Sequence, residues 1–142
     1  STALSKTSVA ATRILMRQFR NDIGERIDMS DNFALIVPDA LADTAAEINL
    51  TKMGYDTAAS TVNMEYQRYQ VIPYLRLDDY DANNWFMTNM DLQKKQLMFA
   101  DRVRPEMNNT VDFETYALKT AVYMRCSYGF IDWRFCYGHQ VA

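Results

Sequence analysis

Few residues in this chain have the type and spacing to do chemistry. His139 is the only histidine, so a Ser–His–Asp or Cys–His catalytic arrangement would have to use it. It stands in a YGHQVA tail, where it reads as an incidental surface residue. Carboxylates cluster at Asp78, Asp79 and Asp81, and Asp-Asp-Tyr-Asp can hold a hard cation loosely. The cluster lacks the glycine and the distal glutamate of a calcium loop, so it reads as a solvated turn. Cys126 and Cys136 are the only thiols. With His139 they make three soft ligands, fewer than the four of a structural zinc site. A bend at Gly129, which lies between the two cysteines, would bring them together or keep them apart, so their pairing stays open. Two cysteines make no disulfide framework, which points to a reducing cytosol. There is no glycine-rich phosphate cradle and only four glycines are present. The expectation is a protein that is not an enzyme, with no catalytic, cofactor-binding or metal-ligating residue to name.

Binding chemistry leaves one further pattern. Tyr66, Arg68 and Tyr74 share a face if the strand carrying them is unbroken, as an RNA- or peptide-binding module would require. Basic residues accompany these tyrosines only at Arg68 and Arg76. The net charge of −3 also argues against a general nucleic-acid binder, which carries a basic face. A small hydrolase is the remaining alternative, and it needs a pocket gathering Asp78, Asp79 or His139. The nine tyrosines, nine methionines and two tryptophans suit a core or an interface equally. Trp85, Phe86 and Trp133 are assigned to the core, and part of the Tyr66–Tyr69–Tyr74 group to an interface.

The elements that would position these residues follow from periodicity. At 142 residues, 49% hydrophobic and 23% charged, the chain reads as one globular domain over 1–142. No apolar run approaches the ~20 residues of a membrane helix. Residues 1–8 read as a flexible end. The chain begins at Ser1 without an initiator methionine or a signal-peptide pattern, so it reads as processed or as part of a longer chain. A helix is predicted from an N-cap at Ser8 to a stop at Gly24, with Val9, Ala10, Ile14, Leu15 and Phe19 near its apolar stripe and Arg13, Arg17 and Arg20 outside it. Phe33–Val37 reads as a buried strand ended by Pro38. A second helix follows Asp39, with Leu41, Ala45 and Ile48 facing inward. Residues 49–63 form the best loop, residues 64–77 a strand with Pro73 near its end, and 77–84 a turn. Trp85–Met90 reads as a strand, 96–100 as a short strand and 104–110 as a loop. Thr115–Tyr128 alternates as a long half-buried strand, with a helix over 114–125 as the competing reading. Gly129 bends or breaks it, and Phe130–Tyr137 resumes as strand. The fold class is α+β, a mixed or antiparallel sheet flanked by two helices.

The second half carries a resemblance. Asn84–Asn89 (NWFMTN), Leu97–Arg104 (LMFADRVR) with Pro105–Glu106, Asp112–Tyr116 (DFETY) and Tyr128–Phe135 (YGFIDWRF) occur in an order that resembles the closing half of a tailed-bacteriophage major capsid protein of the Hong Kong 97-like fold. In the first half, a helix ending in NDIGERI and a strand LIVPDAL followed by a helix are similar to the passage between that family's peripheral and axial domains. The resemblance covers about residues 9–138 and is carried by the order of the pieces. It implies a structural head subunit of a phage or prophage, binding copies of itself as pentamers and hexamers. The resulting icosahedral shell is assembled in the bacterial host cytoplasm and encloses DNA without specific recognition, with no membrane and no small-molecule substrate. It also implies that loops 49–63 and 78–84 are candidates for contacts around symmetry axes. The family's N-terminal arm, extended loop and spine helix have no counterpart here, so the chain reads as a C-terminal fragment. No cross-link residue is assigned.

Overall fold

The computed structural model describes residues 2–53 and 62–141. They form two compact units, one of residues up to Lys95 together with Asp132 onward, the other Gln96–Ile131, where the sequence reading expects a single domain. The α+β class and the mixed sheet are observed.

The first unit is built on a four-stranded sheet of order β2-β1-β3-β6: β1 Phe33–Val37, β2 Tyr69–Pro73, β3 Trp85–Asn89 and β6 Cys136–His139. β1 pairs parallel with β2 and antiparallel with β3, and β3 pairs antiparallel with β6. Flanked on both sides, β1 can be apolar at every position, which is why FALIV reads as a continuous run. The parallel β1–β2 pair needs a crossover. Helix α2 (Ala42–Leu50) lies within it, after a 3-10 turn at Asp39–Leu41. Pro73, expected near a strand end, closes the edge strand β2 opposite Val37, where a missing N–H is tolerated. One sheet face presents Phe33, Leu35, Tyr69, Trp85 and Met87. These residues form the core with Val9 and Met16 of helix α1 (Lys6–Met16) and with Ala45 and Ile48 of α2.

Helix α1 differs from its prediction at both ends and in its buried face. Its N-cap is Ser5, whose hydroxyl accepts from the Ser8 N–H while Ser8 Oγ accepts from the Ser5 N–H. Ser8 is thus the N3 member of a reciprocal capping box, not the cap. The helix ends at Met16, and Gly24 (φ +89°) lies in a later tight turn. There Asn21 Oδ1 accepts from the Ile23 and Glu25 N–H groups. The buried face is Ser8, Val9, Thr12 and Met16, while Ile14 and Leu15 are exposed. The end expected to be flexible contributes contacts: Leu4 packs on the core, and the Thr2 carbonyl accepts from Trp85 Nε1 at 3.0 Å.

Helix α3 (Met90–Gln96) follows β3, and Asn89 caps it by accepting from the Leu92 N–H. The second unit is a two-stranded antiparallel ribbon, β4 Leu97–Val111 and β5 Leu118–Phe130. β4 runs straight through residues 104–110, predicted as a loop. β5 continues through Gly129, which pairs with Met98 and neither bends nor breaks the strand. Register shifts after Asp101 and after Val103 give β4 one extra residue each, so 15 residues oppose 13. Pro105 lies in the second bulge, one of the few places in a ladder that accepts proline. The strand expected to be half-buried is exposed along its whole length, and in β4 only Val103 is partly covered.

Candidate functional site

Strand parity, not surface accident, places His139. It pairs with Trp85 across β3 and β6, so both side chains face the helices. The imidazole is 8% exposed and stacks on the Trp85 ring at 4.2 Å and 13°. The expected surface histidine is therefore a buried one. Thr12 Oγ1 donates to the Ser8 carbonyl at 2.7 Å. Its lone pair then accepts from His139 Nε2–H at 2.7 Å, which fixes the tautomer. Burial lowers the His139 pKa below its ordinary value, so the neutral ring is favoured. The stack and the hydrogen bond pin the last strand to α1.

A second buried polar cluster escaped the sequence reading. Glu65, 4% exposed, accepts from Tyr69 Oη through Oε2. Arg13 donates to Tyr69 Oη at 3.2 Å and to Glu65 Oε1 at 3.4 Å. Arg13 is thus not on a solvated helix face. Burial, and then the Glu65 hydrogen bond, push the Tyr69 phenol well above its ordinary range, so it remains a donor. Two buried amides complete the clamp. Asn49 bonds both the N–H and the carbonyl of Tyr69, and Asn63 Nδ2 donates to the Ile48 and Thr51 carbonyls. Nothing in the local pattern marks Glu65 or Asn63, because their partners lie on other elements.

That clamp dismantles the proposed tyrosine face. Gln67 has φ +51°, so the chain turns before β2 begins at Tyr69. Tyr66 lies in that turn, Arg68 precedes the strand, and Tyr74 follows it. The three do not share a strand face, and Arg68 is paired with Asp31 at 3.1 Å. The Asp78–Asp81 turn is an anchor as well as a solvated turn. Asp78 accepts from the N–H groups of Asp39 at 2.9 Å and Ala40 at 3.4 Å, capping the 3-10 turn before α2, and Asp81 accepts from Asn83. Asp79 is exposed, and no group of three metal-ligating side chains occurs among the described residues. An open, mixed-charge pocket lies at Asp28, Ser30, Asp91, Lys94 and Lys95. Hydrogen bonds from Ser30 and then Asn32 lower the Asp91 pKa and occupy its carboxylate.

Cys126 on β5 is exposed and Cys136 on β6 is half-buried; both thiols are free. Burial raises the Cys136 pKa. Trp85 is buried as expected and Phe86 half-buried, whereas Trp133 is 58% exposed, with its edge against Phe19. Of the loop 49–63, residues 54–61 lie outside the described residues, and Met53 bridges to Val62. No helix among the described residues is long and apolar enough to cross a membrane.

The largest unsatisfied feature is the ribbon. Near its base Leu97, Phe99, Tyr128 and Phe130 share one face by register and line an apolar groove. Further out Met107, Val111, Leu118 and Val122 share a face. No family model, no curated protein and no solved structure matches this chain.

Proposed function

We propose that the chain is a structural head subunit of a tailed phage or prophage. In this reading copies of it associate into pentamers, hexamers and a closed shell around DNA. The observation that carries the reading is the ribbon: 28 strand residues with almost no buried side chain. A free two-stranded ribbon is marginal in water, so this one suits a protein that is completed by neighbours. The ordered pieces NWFMTN, LMFADRVR, DFETY and YGFIDWRF support the same reading by resemblance. Closed symmetric assembly uses contacts that are weak singly and strong together. The turn at 78–84, with Tyr80 84% exposed, is a candidate contact around the symmetry axes. The test is to express the whole reading frame and follow it by size exclusion with light scattering and negative-stain imaging. Ring-shaped capsomers or shells are expected. A discrete monomer across salt and protein concentration would overturn the reading.

A further inference from the structure

We infer that the β4–β5 ribbon docks against a second copy of this chain. The choice of occupant rests on the reading as a self-assembling subunit, and three observations on the ribbon favour it.

The first is area. Thirteen large apolar side chains from Leu97 to Phe130 stand at least 46% exposed. Together they present on the order of the ~800 Å² that each partner contributes to a standard stable interface. The second is concentration of that surface. Leu97, Phe99, Tyr128 and Phe130 gather on one face as an apolar groove, and contiguous patches of this kind mark contact sites. The third is charge. Residues 96–131 carry four bases and four acids, so the ribbon is neutral while the whole chain is at −3. Within it Lys119 pairs with Asp112 and Arg104 with Asp101. Arg102, Arg125, Glu106 and Glu114 have no ion pair among the described residues. A ribbon with no net charge does not repel the same ribbon on another copy. A nucleic acid would want a net basic face, and an anionic membrane would want the same.

The experiment uses the full chain and two reagents supplied by the ribbon itself. Phe99→Asp with Tyr128→Asp places charge in the groove at positions 70% and 87% exposed. Phe99→Ser with Tyr128→Ser repeats the measurement without added charge. Cys126, exposed on β5, reports proximity by cross-linking with a short bis-maleimide in a Cys136→Ser background. The wild-type chain is expected to associate with concentration and to cross-link through Cys126. Both double variants should associate at least tenfold more weakly, with the thermal transition of the first unit unchanged. If assemblies form but neither double variant weakens them and Cys126 does not cross-link, the ribbon proposal falls and the shell reading stands. A ribbon-dependent dimer that never proceeds to rings or shells upholds the ribbon proposal and removes the shell reading. A monomer at every concentration overturns both. Nucleic acid or a different polypeptide held by the ribbon in place of a second copy, and lost in the double variants, overturns the ribbon proposal.

Discussion

At the scale of single residues, two buried polar clusters dominate. His139 must stay neutral, and its lowered pKa has a definite thermodynamic sign. Above its ordinary value of 6.5 the folded and unfolded chains carry the same neutral imidazole. Below it the unfolded chain takes up a proton that the buried ring resists, so stability falls with pH until the folded value is passed. His139→Asn, which keeps a donor for Thr12, should flatten the melting temperature between pH 6.5 and 5, where the wild type loses a few degrees; scanning calorimetry at half-unit steps reads this directly. Glu65 is buried and must stay paired. Arg13→Met leaves a carboxylate buried with only Tyr69 as partner and should cost about 3–5 kcal/mol in urea unfolding. Arg17→Met, which removes an ion pair to Asp31 that is roughly half exposed at both ends, should cost about 0–1 kcal/mol. Equal effects from the two arginine substitutions would show that burial is not what separates them.

At the scale of elements, the two strand glycines make a sharper comparison. A Cβ at Gly138 would meet Phe86 ring carbons at 2.7 and 2.8 Å, whereas a Cβ at Gly129 meets nothing within 4 Å. Gly138→Ala should therefore destabilise by about 1–3 kcal/mol through overpacking. Gly129→Ala should be neutral or stabilise by up to about 1 kcal/mol, because it only restricts the unfolded chain. Denaturant midpoints of the two variants decide it. The same elements explain what the sequence made legible. FALIV is apolar throughout because it is a central strand, and both FALIV and WFMTN are legible as strands. Pro38–Asp39 correctly announced a helical turn. The start of α1 was missed by three residues because two serines at N-cap spacing, Ser5 and Ser8, each satisfy the cap rule. Its buried face was misread because Thr12 and Ser8 are polar, and burial makes sense only with His139 in view, 127 positions away. Segment 104–110 was misread because Pro105, Asn108 and Asn109 are turn formers. In a ribbon without a core, hydrogen bonding to the facing strand decides, and no period-two burial pattern is written into the residues. Tyr66 was misplaced because the break at Gln67 is imposed by Asn49, which accepts the chain from another element.

At the scale of the whole molecule, buried area is distributed unevenly. The core residues all lie in the first unit, so its amides should resist hydrogen exchange through global unfolding. The ribbon, with hydrogen bonds but almost no buried apolar contact, should exchange by local opening. Exchange measured by mass spectrometry on the isolated chain should show protection at 33–37 and 85–89 at least a hundredfold above that at 107–111 and 118–122. Comparable protection in the two units would mean that the ribbon is already covered. The bulged strand has a consequence of another kind. A flat, neutral, apolar pair of strands is the sort of template from which cross-β fibrils grow, since each new copy adds in register to the last. The two extra residues in β4 and the missing amide hydrogen of Pro105 break that register twice along one edge. A ribbon shortened at both bulges, to 13 residues facing 13, would lose this brake. Polymerisation without end would then compete with the finite, closed association of the proposed shell.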